Sequence, residues 1–131
     1  MSSQTLPTRI TSPRSAFEYL QRMHSREAHG FFGLLSLDHK GELLGDSIIP
    51  KGTNPRGFYR EALKHGAFTA LAYTFRPSNN VSPSKEDLDF TARLRSAGES
   101  LGVPLSDHII LGIDWIHSFR SAQGWQNEGN L

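Results

Sequence analysis

Cysteine is absent from the 131-residue sequence. Its absence excludes disulfides, thiolate zinc sites and cysteine nucleophiles, so any bound metal would need histidines and carboxylates. Long hydrophobic runs are absent as well: no window approaches the roughly 18 apolar residues of a transmembrane helix, and the N-terminus lacks the apolar core of a secretion signal. These absences predict a soluble, cytoplasmic protein with no membrane partner.

An excess of charge of either sign is also missing. The 14 Lys and Arg residues face 13 Asp and Glu residues, a formal net charge of +1, so binding to nucleic acid would need a local basic patch. The 37% hydrophobic and 21% charged fractions are typical of a globular chain, and the length suits one core. We expect one domain over residues 9–122, between a flexible arm at 1–8 and a polar tail at 123–131.

Caps and apolar spacing predict two helices in the first half of the chain. The first begins at a cap at Ser12, continues through a proline suited to the first turn, and ends near His24. The second follows a loop at 52–55, directs Leu63 inward together with its other apolar residues, and stops at Gly66.

A third helix has the clearest signature in the sequence. Ser84 can cap it, and Asp87 stands three residues later as the acid of a capping box. Gly98 is expected to weaken its end. The residues predicted to face inward are Leu88, Thr91, Ala92, Leu94 and Leu101.

The strands follow from short apolar runs between turn residues. A turn at Gly41 joins two of them, residues 67–75 make an uncharged run expected of a buried central strand, and two more flank the turn at 113–115. Helices alternate with these strands, so we expect an α/β sandwich with a mixed sheet.

Several segments occur in a recognisable order within residues 9–120, including ITSPRSAFEYL, LLSLDHKGELL, PSNNVSPSKEDLDFT and LGVPLSDHIILG. In this order they resemble the C-terminal domain of RadC-type proteins, a branch of the JAB/MPN (JAMM) metallopeptidase superfamily. The resemblance implies the cytidine-deaminase-like fold of that superfamily, a mixed sheet flanked by helices. His108, in the last segment, is read as structural.

Active members of this superfamily hold zinc with a His-x-His pair at the end of the central strand and a later aspartate, while a glutamate acts through the zinc-bound water. Counting back from Asp87 at the family's spacing puts Thr74 and Arg76 at the histidine positions. The glutamate position falls on Gly30, and Glu27 reaches it only if the strand is shifted. The resemblance therefore implies a degenerate member without zinc ligands, with a vestigial site of Thr74, Arg76, Ser84, Asp87 and Glu27.

Arg76 has two interpretations. Its guanidinium carries a permanent charge and cannot ligate a metal, so it could pair with Asp87 and keep the vacated site neutral. Alternatively, Asp87 only caps its helix and Arg76 extends into solvent.

Three functions follow from these patterns. The first is a catalytically inactive JAB/MPN module without a cofactor, which binds a protein partner or a second copy of itself as a scaffold; the resemblance links it to DNA repair or mobile elements. The second is a zinc-dependent metallohydrolase with atypical ligands, drawn from Asp87, Glu27 or Glu86 and a histidine such as His29. The third is a nucleic-acid binder that uses a basic stripe on the second helix, Arg56, Arg60 and Lys64.

Overall fold

A computed structural model describes residues 8–24 and 27–125. Its elements follow the predicted order of helix, hairpin, helix, strand, helix and hairpin, with a short helix added after the last strand. They are α1 (Pro13–His24), β1 (Phe31–Leu37), β2 (Leu43–Ile49), α2 (Pro55–Lys64), β3 (Thr69–Phe75), α3 (Lys85–Leu101), β4 (Leu105–Leu111), β5 (Ile116–Ser118) and α4 (Phe119–Gln123).

The strands form one sheet in the order β2-β1-β3-β4-β5. β3 and β4 are parallel, and the other neighbours are antiparallel. The parallel pair requires a crossover, which α3 supplies between them. The predicted α/β class with a mixed sheet in a single domain is confirmed.

Alternating side chains on β3 direct two apolar clusters to opposite faces of the sheet, because successive residues of a strand point to opposite sides. Leu71, Tyr73 and Phe75 pack with α1. Ala70 and Ala72 pack with α2 and α3 on the other face. Thr74 continues this second row, so its side chain points to the same face as α3.

A polar cluster anchors α1 to the sheet. Tyr19 Oη donates to Asp46 Oδ2 at 2.7 Å, and Tyr73 Oη donates to Asp46 Oδ1 at 2.6 Å. His24 Nε2 lies 3.2 Å from Asp46 Oδ2. Burial raises the pKa of both tyrosines, and the neighbouring Asp46 carboxylate raises it further.

The third helix differs from its prediction at Gly98. The helix does not end there: α3 continues past Gly98 to Leu101 and stops at Gly102, whose φ of 78° is left-handed. Gly98 is instead a packing position. A Cβ there would lie 2.4 Å from Tyr59 Oη, and that hydroxyl donates to Leu94 O at 2.8 Å.

Other predictions are corrected by burial. Leu63 is 53% exposed and Leu101 is 50% exposed, and Leu88 and Ala92 are exposed too, since these positions lie off the narrow buried stripes of their helices. Residues 123–125, assigned to the polar tail, are folded: α4 includes residue 123, and Trp125 is buried beneath Arg95. The rest of the predicted tail and most of the arm lie outside the described residues.

None of the helices in the described part of the chain has the length and apolarity needed to span a membrane.

Candidate functional site

A cleft of about 490 Å³ lies between the start of α3 and the loop that joins β2 to α2. Its base is formed where β1, β3 and β4 lie side by side. The residues that line it combine aromatic rings, hydroxyls and charges: Phe32, Pro50, Lys51, Gly52, Thr53, Asn54, Thr74, Asp87, Phe90, Arg93 and His108.

A buried histidine lies at the base of the cleft. His108 is 2% exposed, its Nε2 is 2.8 Å from Thr74 Oγ1, and its Nδ1 is 2.6 Å from Thr91 Oγ1. Burial lowers the pKa of His108 to about 3, so the ring is neutral at pH 7. A neutral imidazole has one N–H, so one threonine accepts a hydrogen bond and the other donates one. His108 thus ties β4 to β3 and α3, and its predicted structural role agrees with these contacts.

Arg76 and Asp87 form an ion pair at the edge of the cleft. Arg76 Nη2 donates to Asp87 Oδ2, and their side chains are only 24% and 18% exposed. The same oxygen of Asp87 accepts from Ser84 N at 2.7 Å, and Ser84 Oγ accepts from Asp87 N at 3.0 Å. The pair and the capping box therefore coexist: these contacts agree with the ion-pair interpretation and not with the alternative in which Arg76 extends into solvent.

The carboxylate of Asp87 is held in its charged form. Burial acts to raise the pKa of this carboxyl group. The hydrogen bonds from Ser84 and the Arg76 guanidinium outweigh this effect, so the pKa lies below its usual value. At neutral pH the negative charge of Asp87 is thus matched by the positive charge of Arg76.

Arg76 also organises the loop between β3 and α3. Its Nη1 donates to Ser82 O at 2.9 Å and to Asn80 O at 3.3 Å. The guanidinium therefore binds two backbone carbonyls of the loop and the carboxylate of the helix that follows it. Five donors in a planar fork suit this geometry, which a lysine ammonium could not reproduce.

Glu27 lies apart from the other residues of the predicted site. It is exposed in the segment before β1, and its charge acts on Tyr73, which faces α1 and not the cleft. His29, the histidine considered for an alternative metal site, is exposed in the same segment. The fold thus brings together Thr74, Arg76, Ser84 and Asp87 and leaves Glu27 outside.

The basic stripe is exposed on α2. Arg56, Arg60 and Lys64 all lie at the surface, and Lys64 Nζ is 3.3 Å from the Glu61 carboxylate, which reduces the stripe's net charge. A helix face that only contacts solvent would show the same arrangement of charges as a face that binds nucleic acid.

The donor set at the predicted metal position does not suit zinc. Thr74 offers a neutral hydroxyl, and Arg76 has no lone pair to donate to a metal. Asp87 already accepts hydrogen bonds from Arg76 and from the backbone N–H of Ser84. Within residues 8–24 and 27–125, no group of three His, Asp or Glu side chains comes close enough to hold a metal ion.

Sequence reasoning missed most of the cleft lining, including Phe32, Lys51, Phe90 and Arg93. A signal for two of them was present, because Phe90 follows Asp87 by three positions and Arg93 follows Phe90 by three, the spacing of one helix face. Phe32 and Lys51 come from other segments, and only the fold places them beside α3.

A mixed sheet whose central strand ends in a loop and a capped helix beside a cleft is consistent with a JAB-type α/β domain. The comparisons with known proteins agree. The family model for the RadC-like JAB domain matches residues 10–125, so the chain belongs to this family.

Curated relatives are UPF0758 proteins. The chain is 36% identical over 107 residues to one from Carboxydothermus hydrogenoformans, covering 77% of the chain and 47% of the relative. It is 41% identical over 117 residues to one from a Picosynechococcus species, covering 85% and 48%. The match with the Trichormus variabilis protein is 38% over 111 residues, covering 80% and 46%. The chain therefore spans about half the length of these relatives.

Proposed function

We propose that this chain is a RadC-like JAB domain without peptidase activity, which acts by binding a protein partner. The observation that carries the proposal is the Arg76–Asp87 ion pair at the position where the family resemblance implies a zinc ion. A guanidinium supplies positive charge and hydrogen bonds to the loop, but it cannot bind or activate a water molecule as a Lewis acid does.

The rest of the cleft supports a binding role over a hydrolytic one. A hydrolase of this type needs a group that accepts a proton from water near neutral pH. His108 is buried, with both ring nitrogens in hydrogen bonds to threonines. Asp87 forms an ion pair with Arg76, and Glu27 lies away from the cleft. The cleft has an aromatic and partly charged lining. A cleft that lacks catalytic groups can still bind a ligand.

The test is to rebuild the metal site and measure its zinc. We expect the unmodified protein, purified without a tag, to contain no stoichiometric zinc by atomic emission. The double variant Thr74→His/Arg76→His, with Asp87 unchanged, should bind zinc stoichiometrically, because two imidazoles and a carboxylate then point into one space and leave one open position.

A matched control replaces the third ligand. Adding Asp87→Asn to the double variant keeps the side-chain shape and the helix cap but removes the charge that zinc requires, so the affinity for zinc should fall by at least about tenfold. Stoichiometric zinc in the unmodified protein would contradict the proposal and favour a metallohydrolase with atypical ligands.

A further inference from the structure

The rim of the cleft carries two positively charged side chains. Lys51 and Arg93 are exposed and line the cleft, and neither forms an ion pair with another residue in the described part of the chain. The carboxylate in the lining belongs to Asp87, which is already paired with Arg76. His108 is neutral, so the cleft favours an anionic ligand.

An apolar surface lies directly beside these charges. The rings of Phe32 and Phe90 meet edge to face with centroids 5.6 Å apart, and both are partly exposed. The guanidinium of Arg93 lies 5.9 Å from the centroid of Phe90. A ligand that satisfied both features would carry its negative charge next to a flat or bulky apolar group.

We propose that the cleft binds the C-terminal residue of a partner polypeptide that ends in an aromatic side chain. The terminal carboxylate lies between Lys51 and Arg93, and the ring packs on Phe32 and Phe90. An internal peptide segment lacks this backbone carboxylate, whereas a chain terminus provides it beside a side chain. The cleft is open to solvent, so the rest of the partner chain can leave it.

This assignment rests on the proposed binding function and names the feature of the partner that is recognised. Capture of a terminal carboxylate by a few positioned donors is an established mode of peptide recognition. Thr74 adds a hydroxyl at the base of the cleft, held in place by His108, where it can contact the ligand.

The test uses the full chain, stripped of metal with EDTA, in an amide NMR titration with N-acetylphenylalanine. We expect saturable shifts at Thr74, Phe90 and Arg93. N-acetylphenylalanine amide, which lacks the charge, and N-acetylalanine, which lacks the ring, should each bind at least about fivefold more weakly, since one exposed charge contact or one ring contact is worth about 1 kcal/mol.

Substitutions of the two cations test where the carboxylate of the ligand binds. Lys51→Ala and Arg93→Ala should each weaken binding of N-acetylphenylalanine about twofold to fivefold, whereas Arg60→Ala, which removes the same charge from α2 outside the cleft, should leave it unchanged. Equal binding of the acid and its amide, or an equal effect of Arg60→Ala, would overturn the proposal. Tighter binding of adenosine monophosphate than of the peptide mimic would also overturn it, in favour of a nucleotide.

The two proposals fail in different ways. Zinc in the unmodified protein contradicts the loss of peptidase chemistry, whatever the titration gives. Absence of saturable binding in the zinc-free protein contradicts the ligand assignment alone and leaves the metal result intact.

Discussion

At the scale of single residues, Arg76 shows how one side chain can join a loop to the helix that follows it. Its guanidinium joins the loop carbonyls of Asn80 and Ser82 to the Asp87 carboxylate. In this position a permanent cation holds the loop against the start of α3. The contacts are partly buried, so screening by solvent is incomplete.

Replacing Arg76 with Met should therefore destabilise the protein. We expect the free energy of unfolding to fall by about 1–2 kcal/mol at pH 7, because charged hydrogen bonds to the loop and to Asp87 are lost. Urea denaturation measures the change. Arg60→Met, at an exposed site on α2, is the control and should change the stability by less than about 0.5 kcal/mol.

The effect of Arg76→Met also depends on pH. The pKa of Asp87 is lowered in the folded state. Its ion pair therefore stabilises the protein fully above the pKa of the unfolded state, about 3.9. This stabilisation is lost as the pH falls through the lower pKa of the folded state. The difference between the two proteins should shrink as the pH falls below about 3.9. A difference that stayed constant with pH would show that Asp87 is not involved.

At the scale of elements, α3 and α2 are held together by a close approach at Gly98. The hydroxyl of Tyr59 reaches the backbone carbonyl of Leu94 across this glycine, and Gly98 is buried. A glycine in the middle of a helix usually costs stability relative to alanine. Here it is required, because a methyl group would occupy the space of the tyrosine hydroxyl.

Gly98→Ala should consequently destabilise the protein by roughly 1–3 kcal/mol, although helix propensity alone predicts a gain of about 1 kcal/mol. Thermal or urea unfolding measures the change. Ser96→Ala, on the exposed side of the same helix, is the control and should be neutral or slightly stabilising. A stabilising Gly98→Ala would mean that Tyr59 does not lie against this residue.

At the scale of the whole molecule, His108 connects four elements of the fold. It lies on β4, contacts Thr74 on β3 and Thr91 on α3, and stacks on Phe119 of α4 with centroids 4.7 Å apart. Burial of the ring keeps the imidazole neutral. Protonation would place a charge in the core, so it is coupled to unfolding of the whole domain.

Stability should therefore fall as the pH decreases from about 6.5. The unfolded state takes up a proton near the ordinary histidine pKa of about 6.5, whereas the folded state does so only at about 3. Between these values His108 should lower the free energy of unfolding by about 1.4 kcal/mol per pH unit. Urea denaturation between about pH 7 and pH 4.5 measures the slope.

His108→Gln provides the comparison for this slope, because glutamine can bond both threonines but does not titrate. The variant should be less stable at pH 7 and should lose stability less steeply toward acid pH. Parallel curves for the two proteins would contradict the role of His108.

Local chemistry by itself determined much of this protein. The capping box of Ser84 and Asp87, the glycine turns and the apolar runs specify the elements because each depends on neighbouring residues, and their order specified the α/β class. The family resemblance, through the spacing counted back from Asp87, implied that Thr74, Arg76 and Asp87 share one site.

Only the tertiary structure decided what surrounds that site. Leu63 and Leu101 are exposed, and Gly98 is buried. The reason is that the element packed against a helix, and not the helix's own apolar pattern, decides how many of its residues are buried. Glu27 was excluded from the cleft, and Phe32 and Lys51 joined it, because contacts between distant segments depend on the sheet order. The physical reason is that periodicity fixes the face of an element, whereas packing fixes what that face meets.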